Sequence, residues 1–158
     1  MLELISFDVD GVLTDGRIVY TDDGRELKAF NVQDGAAIRL LLEHGIEVAL
    51  LTGRSSPMVE RRARELGIRH LHQGLADKAP ALKALSTKLN IPLAHMAHVG
   101  DDLPDLALFE LAGLSVCVPD GHPAVISRAD LVTRTRGGEG VARELAELVL
   151  KARGVWPY

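Results

Sequence analysis

The sequence predicts an α/β protein with a doubly wound, Rossmann-like parallel sheet, helices on both faces and a β-hairpin inserted after strand one. Short apolar segments, at 2–8, 46–51, 95–99 and 114–118, alternate with longer amphipathic ones. This alternation is typical of parallel strands joined by helices. Polar side chains follow several of the apolar segments directly, as at the edge where such sheets open onto a binding crevice. The 158 residues suit one domain, 1–158.

The individual elements follow in chain order. The first strand is predicted over 2–8, and the hairpin over about 17–31, where two β-rich segments flank Asp22-Asp23-Gly24. Glycines at 45 and 67 end the first two helices. No interval between the elements is long enough for a cap domain. Helices are predicted over 34–44, 57–66, 78–89, 104–112 and 139–152, and the remaining strands over 46–51, 68–72, 95–99, 114–118 and 131–132.

Composition and charge exclude several classes of function. The net charge is −4 and the cationic residues are scattered, which argues against a nucleic-acid partner. Because no apolar segment reaches about 18 residues, neither a membrane span nor a signal peptide is expected. Cys117 is the only cysteine and lies in an apolar segment. It cannot form a disulfide within the chain, which favours a reducing, cytoplasmic location.

Two carboxylates end the first strand, and stability does not explain them. Asp8 and Asp10 flank Val9, and Gly11 follows at once. Neighbouring carboxylates repel each other and lose solvation when buried, so a divalent cation is the natural partner. A calcium loop of the EF-hand type would need a glutamate at its twelfth position, but Val19 stands there. We therefore interpret this strand end as an active site with Asp8 at its centre.

Three later segments supply groups for the same edge of the sheet. Thr52 ends the next core strand, Lys78 begins a helix, and Asp101 and Asp102 end a later strand. Together with Asp8, these groups suit phosphoryl transfer, in which a carboxylate attacks phosphorus and forms an aspartyl phosphate.

Each group has a predicted role. Asp8 is the nucleophile, and Asp10 protonates the leaving alcohol and then activates water. Thr52, with the backbone amides of Gly11 and Gly53, would hold phosphoryl oxygens, while Lys78 would offset the remaining charge.

A magnesium ion is the predicted cofactor, held by the side chains of Asp8 and Asp101. Asp102 has two interpretations that the sequence leaves open. It is either a group behind the metal ligands or a residue that caps the following helix. The six histidines show no metal-binding spacing beyond His70-x-His72 and His95-x-x-His98, and structural roles are predicted for them.

The ordered set resembles the haloacid dehalogenase-like phosphatases of the capless type. The four motifs of that superfamily match Phe7-Asp8-Val9-Asp10-Gly11, Leu51-Thr52-Gly53, Lys78 and Gly100-Asp101-Asp102-x-x-Asp105. The resemblance implies that the backbone carbonyl of Asp10 is a third metal ligand and that Asp105 supports the metal site. An aspartate at the position of Asp10 is typical of phosphatases and mutases in the superfamily.

Nearly the whole chain is similar to one capless family, the 3-deoxy-D-manno-octulosonate 8-phosphate phosphatases. Matching segments include Leu13-Thr14-Asp15-Gly16, Asn31-Val32-Gln33-Asp34-Gly35 and Gly137-Gly138-Glu139-Gly140. The resemblance implies a Mg²⁺-dependent homotetramer, assembled through its hairpins, that dephosphorylates an eight-carbon sugar acid in lipopolysaccharide synthesis. It also implies substrate contacts from Asp10 and the following residues: Asn31, Val32, Gln33, Asp34, Gly35, Arg39, Arg54, Arg62 and Lys78.

Three alternatives stay open at this point. A nine-carbon sugar-acid phosphate could be the substrate, although Arg54 leans towards the eight-carbon acid. A phosphatase-like oligomerising or regulatory module without activity is possible, but the chain keeps Asp8, Asp10 and Lys78. A receiver-type signalling domain has a similar set of groups, but its phosphorylated aspartate lies near the middle of the chain.

The apolar hairpin and the chain's end bear on assembly. A two-stranded hairpin with this many apolar residues needs a partner, and a neighbouring subunit is the expected one. Such a subunit would also cover the crevice, which no cap domain encloses. Trp156 and Tyr158 could pack on a neighbour, although a frayed terminus is the plainer interpretation.

Overall fold

The computed structural model describes residues 1–158, and its centre is a six-stranded parallel sheet in the order β5-β4-β1-β6-β7-β8. These strands are β1 (Leu4–Phe7), β4 (Glu47–Leu51), β5 (His70–His72), β6 (Met96–Gly100), β7 (Leu114–Cys117) and β8 (Leu131–Val132). A separate antiparallel hairpin consists of β2 (Val19–Tyr20) and β3 (Glu26–Leu27). The helices are α1 (Val32–Glu43), α2 (Pro57–Leu66), α3 (Ala79–Leu89), α4 (Leu106–Phe109), α5 (Pro123–Ile126) and α6 (Val141–Ala152).

Strand β1 lies in the middle of the sheet and positions the site. Its last residue, Phe7, pairs with Leu50 of β4 and Val99 of β6. Because all three strands are parallel, their carboxyl ends meet at one edge. The residues that follow them therefore face a common crevice.

Helices cover both faces of the sheet, each over its own apolar core. Ile5 and Phe7 point into the larger core, beneath α1, α2 and α6, while Leu4 points into the smaller core beneath α3 and α4. Successive side chains of a strand point to opposite faces, so a strand buried on both sides is apolar throughout. The doubly wound fold predicted from the sequence is confirmed.

The hairpin lies between β1 and α1, as predicted, and no cap domain interrupts the sheet. Its paired strands are much shorter than the predicted segment 17–31. Ile18, Val19, Tyr20 and Leu27 are 46% to 64% exposed, so the apolar surface that they form has no partner within the chain.

The bounds of α1 and α3 differ from the predicted ones by one or two residues, and two other helices differ for an identifiable reason. The predicted helix 104–112 is a tight helical turn over Leu103–Asp105 followed by the four-residue α4, because the Asp105 carboxylate turns back onto the amides of Asp101 and Asp102. The last helix begins at Val141 instead of 139, since Gly138 and Gly140 have φ angles of +78° and +112°, outside the helical range. The short α5 was not predicted. No helix combines the length and the apolar character that crossing a membrane requires.

Candidate active site

An open crevice of about 320 Å³ lies at the carboxyl ends of β1, β4 and β6. The polar groups predicted at the strand ends come together there. Its lining includes Asp8, Asp10, Thr52, Arg54, Lys78, Asp101 and Asp102.

The turn that leaves β1 fixes Asp8 and brings the backbone close to Asp101. Asp8 Oδ1 accepts a hydrogen bond from the Val9 amide at 2.7 Å, which leaves Oδ2 directed at Lys78 Nζ at 2.9 Å. Gly11 has a φ of +92°, and a Cβ there would lie 2.0 Å from Asp101 Oδ2. Only glycine fits this position, because any side chain would displace the Asp101 carboxylate.

Lys78 bridges two carboxylates at the base of the crevice. Its Nζ lies 2.9 Å from Asp8 Oδ2 and donates to Asp105 Oδ1 at 2.7 Å. Burial lowers the pKa of Lys78, but the charges of Asp105 and Asp8 outweigh burial and raise the pKa above its ordinary value. Lys78 is therefore a permanent cation between the two carboxylates.

Negative charge exceeds positive charge around this lysine. Asp8, Asp101 and Asp105 place carboxylate oxygens within 4.8 Å of one another. Burial, followed by the charges of Asp8 and Asp105, raises the pKa of Asp101 to about 8. Burial, with the charge of Asp105, also raises the pKa of Asp8. Buried Asp101 Oδ1 has no hydrogen-bond partner, so the site is built for a further cation.

Asp105 is not a candidate ligand, because hydrogen bonds already use both of its oxygens. Lys78 Nζ and His98 Nε2 lie 2.7 and 3.0 Å from Oδ1, and the amides of Asp101 and Asp102 donate to Oδ2 at 3.0 and 3.2 Å. Burial raises the pKa of Asp105, but His98 and Lys78 outweigh burial and hold that pKa far below its ordinary range. Oxygen ligands for a hard cation remain on Asp8 and Asp101.

The hairpin contributes two charged groups that the sequence analysis missed. Lys28 Nζ bonds to Asp10 Oδ1, and only 2% of the Lys28 side chain is exposed. Glu26 lies 3.3 Å from Lys28 Nζ and accepts a hydrogen bond from Arg54 Nη2 at 2.9 Å. Glu26 and Lys28 are two residues apart and therefore share one face of an extended segment. This spacing is the only sequence feature that could have indicated that the two side chains act together.

Most of the predicted substrate contacts lie outside the crevice of this chain. Asn31 accepts a hydrogen bond from the Gln33 amide at 2.7 Å and caps α1, while Val32 is 79% exposed. Asp34 is buried and accepts from the Arg143 amide at 3.1 Å, at the start of α6. Of the predicted substrate contacts, the crevice contains Asp10, Arg54 and Lys78.

Three further residues that were predicted to contact substrate lie in or next to α2. A Cβ at Gly35 would lie 2.4 Å from Arg62 Nη2, so the glycine makes room for the guanidinium. Arg62 donates to the Asn31 carbonyl at 3.3 Å and stacks over the Phe30 ring at 5.8 Å. Arg39 donates to the Glu65 carbonyl at 2.8 Å. The substrate roles of 31–35, Arg39 and Arg62 stay predictions.

Smaller details of the site also bear on the predictions. Asp102 Oδ1 accepts from the Leu103 amide at 2.8 Å, so Asp102 caps the helical turn after β6. The Gly11 amide donates to Thr14 Oγ1 at 3.3 Å and is not free for a phosphoryl oxygen.

The C-terminal tail packs on α6 of the same chain. The centroid of the Trp156 ring lies 5.7 Å from Arg143 Cζ and 5.5 Å from Lys151 Nζ.

Comparisons with known sequences agree with this geometry. The sequence model of a family described as haloacid dehalogenase-like hydrolase matches residues 70–145. The 3-deoxy-D-manno-octulosonate 8-phosphate phosphatase of Escherichia coli is 51% identical over 97% of this chain and 81% of its own length. The enzyme of the same name from Yersinia pestis is 45% identical over 96% of this chain and 81% of its own length.

Solved structures give the same result. The 3-deoxy-D-manno-octulosonate 8-phosphate phosphatase of Moraxella catarrhalis, crystallised with magnesium, phosphate and a KDO molecule, is 50% identical. It aligns with a TM-score of 0.93 over 96% of this chain and 87% of its own. The cobalt-bound enzyme of Haemophilus influenzae is 38% identical, with a TM-score of 0.93 over 97% of this chain and 90% of its own. The fold, the aspartates at the ends of β1 and β6, and these relatives together show that the chain belongs to the haloacid dehalogenase-like hydrolases.

Proposed function

We propose that this protein is a Mg²⁺-dependent phosphatase that hydrolyses 3-deoxy-D-manno-octulosonate 8-phosphate through an aspartyl phosphate on Asp8. One observation carries the proposal. Asp8 Oδ2 lies 2.9 Å from Lys78 Nζ and shares a crevice with the partnerless oxygen of Asp101, at the edge where three parallel strands end. The relatives that carry the name of this activity are about half identical to this chain.

In the first half of the reaction Asp8 acts as the nucleophile. A carboxylate oxygen of Asp8 forms a bond to phosphorus while the bond between phosphorus and the ester oxygen breaks. Asp10 gives its proton to the departing alcohol, so the leaving group is neutral. Lys78 keeps the Asp8 carboxylate oriented and offsets charge on the phosphoryl group, and the Thr52 hydroxyl would hold a phosphoryl oxygen.

In the second half Asp10 works in the opposite direction. It takes a proton from a water molecule, whose oxygen bonds to phosphorus as the bond to Asp8 breaks. Inorganic phosphate leaves, and Asp8 and Asp10 return to their starting states. Lys28 lies behind Asp10 and bonds to its Oδ1, so the hairpin supports the group that moves the proton.

The donor set fits a magnesium ion. The side chains of Asp8 and Asp101 would hold it, with the backbone carbonyl of Asp10 as the third protein ligand by resemblance to the superfamily. When bound, Mg²⁺ neutralises charge on the transferring phosphoryl group and relieves the repulsion between the two carboxylates. The site suits such an ion because its carboxylate oxygens lie close together and Asp101 Oδ1 is buried without a hydrogen-bond partner.

A sugar-acid phosphate carries a carboxylate in addition to its phosphate, and in this proposal Arg54 binds that carboxylate. The guanidinium lies in the crevice, and 39% of its side chain is exposed. Arginine binds carboxylates through two parallel hydrogen bonds, which lysine cannot do. Glu26 occupies Nη2 at 2.9 Å, so Arg54 already holds a carboxylate in this structure.

We further propose a homotetramer assembled through the hairpins and a cytoplasmic location. The exposed apolar residues of the hairpin support the assembly, and the buried free thiol of Cys117 is in keeping with a reducing compartment. Light scattering should give the mass of four chains, and Tyr20→Glu should shift it towards smaller species. A wild-type monomer would contradict the assembly.

The substrate assignment is tested by a panel of phosphate esters. The values of kcat/KM should be highest for the eight-carbon sugar-acid phosphate and lower for nine-carbon sugar-acid phosphates, simple sugar phosphates and nucleotides. Arg54→Gln should lower kcat/KM for the sugar-acid phosphates by about 10-fold or more and leave sugar phosphates without a carboxylate much less affected. Equal values of kcat/KM across the panel would contradict the proposal. A maximum for a nine-carbon sugar-acid phosphate would show that this compound is the substrate instead.

A further inference from the structure

Asp105 is a buried anion to which two parts of the site are tied. Through Oδ1 it holds Lys78 Nζ at 2.7 Å, and through Oδ2 it accepts the amides of Asp101 and Asp102 at 3.0 and 3.2 Å. A Cβ at Gly100 would lie 2.4 Å from Asp105 Cγ, so the backbone approaches the carboxylate as closely as glycine allows. Any change in the Asp105 carboxylate therefore moves both Lys78 and the segment that carries Asp101.

The fourth hydrogen bond to Asp105 comes from His98, a fully buried residue of β6. His98 Nε2 lies 3.0 Å from Asp105 Oδ1, and Nδ1 lies 2.9 Å from Ser6 Oγ on the neighbouring β1. The ring also meets Phe109 edge to face, with centroids 6.1 Å apart. Strand, hydroxyl and aromatic ring thus fix the imidazole on three sides.

The proton on Nε2 follows from hydrogen-bond counting. Asp105 accepts from Lys78 at Oδ1 and from two backbone amides at Oδ2, so its carboxylate acts only as an acceptor and Nε2 must carry a proton. The Ser6 hydroxyl either donates to the Ala97 carbonyl at 3.0 Å or points at Nδ1, and either choice leaves Nε2–H directed at Asp105. A buried polar ring in a central strand is costly where an apolar side chain would fill the space. The donated hydrogen bond is the interaction that offsets this cost.

We propose that His98 is a positioning residue for the phosphatase reaction, acting through Asp105 on Lys78 and on the Asp101 segment. The inference rests on the proposed function. Without His98, the Asp105 carboxylate loses one of the two donors to Oδ1, and the remaining donor, Lys78, is drawn towards it and away from Asp8. The loss should therefore fall on kcat, with KM nearly unchanged.

Three substitutions separate positioning from packing. His98→Phe keeps the ring and removes both hydrogen bonds. His98→Gln places an amide nitrogen where Nε2 was, and His98→Asn places one where Nδ1 was. We expect Phe and Asn to lower kcat by about 10- to 100-fold, the range for one hydrogen bond to a charged group, and Gln to restore kcat to within about 3-fold of wild type.

His70 supplies the matched control. It is a buried histidine whose Nε2 lies 3.2 Å from the carboxylate of Glu47, and Glu47 begins β4, at the end of the strand away from the crevice. His70→Phe should leave kcat unchanged. Thermal unfolding of every variant shows whether a loss of kcat follows a loss of folded protein.

Two substrates distinguish a failure of the proposed function from a failure of the proposed role of His98. Both the sugar-acid phosphate and para-nitrophenyl phosphate are used as substrates. Wild-type inactivity towards both would overturn the proposed function and this inference together. With an active wild type, full kcat in His98→Phe, or a Gln variant as slow as the Phe variant, would overturn the inference alone. If His98→Phe fails to fold, the smaller His98→Asn still removes the donor to Asp105, and full kcat in that variant would also overturn the inference.

Discussion

Asp34→Asn should make the folded protein more stable at neutral pH, although the aspartate caps a helix. Asp34 is 3% exposed in α1, its Oδ1 accepts the Arg143 amide at 3.1 Å, and its Oδ2 has no hydrogen-bond partner. Burial raises the pKa of Asp34 from 3.8 to about 6, because the hydrogen bonds and the charge of Arg62 only partly offset the lost solvation. Asparagine keeps an oxygen for Arg143 and carries no charge.

The magnitude follows from linkage between proton binding and folding. The folded chain holds the proton up to about pH 6 and the unfolded chain loses it near pH 3.8, so this group's contribution is greatest at low pH and declines as pH rises between those values. The difference between 3.8 and about 6 corresponds to about 3 kcal/mol at pH 8, at about 1.4 kcal/mol for each pH unit. At pH 4 most of this free-energy cost is absent, because the folded chain keeps Asp34 protonated and the unfolded chain is close to its own pKa.

Thermal or urea unfolding of both proteins at pH 4 and pH 8 measures this effect. The advantage of Asp34→Asn over wild type should grow by about 2 kcal/mol from pH 4 to pH 8, or about 4 to 8 °C in Tm. Asp130→Asn is the control of opposite sign, since the hydroxyl and amide of Ser115 hold the pKa of Asp130 below its ordinary value. Asp130→Asn should therefore destabilise the protein above about pH 4. An advantage of Asp34→Asn that is equal at both pH values would refute the reasoning.

Two further predictions concern the crevice. Lys28→Met should lower kcat by about 10-fold, because it removes a charge-assisted hydrogen bond to Asp10. Arg25→Met, on the same hairpin but paired only with exposed Asp23, should leave kcat unchanged; equal losses in the two variants would contradict the role of Lys28. EDTA should abolish turnover and added Mg²⁺ restore it, and Mg²⁺ should raise the Tm of wild type but not of Asp101→Asn. A rate insensitive to EDTA would remove the metal from the mechanism.

The sheet and the centre of the site could be predicted because they depend on local patterns. Apolar segments that end in Asp8, Thr52 or Asp101 identify both the strands and the edge of the sheet that holds the site, since the carboxyl ends of parallel strands lie together. Gly67, with a φ of +77°, ends α2 where the sequence indicates. The bounds near Asp105 could not be predicted, because a side chain that bonds to backbone amides shortens the helix there.

Contacts between residues far apart in the sequence could not be predicted. Lys28 reaches Asp10 only because the hairpin folds back over the crevice, and His98 reaches Ser6 across two paired strands. A histidine within an apolar strand is indistinguishable from a core residue until its partners are known. The segment 31–35 illustrates the opposite case, since resemblance alone implied its substrate contacts and this chain's crevice does not include them.

The central claim is that Asp8 becomes phosphorylated, and the variant Asp10→Asn tests it most directly. With para-nitrophenyl phosphate the leaving group needs no proton, so the first step should proceed while hydrolysis of the aspartyl phosphate is slow. We expect a burst of nitrophenolate equal to the number of sites, and acid quenching with mass spectrometry should find a phosphoryl group on Asp8. Steady release of nitrophenolate without a burst and with Asp8 unmodified, or turnover by Asp8→Asn, would contradict the account.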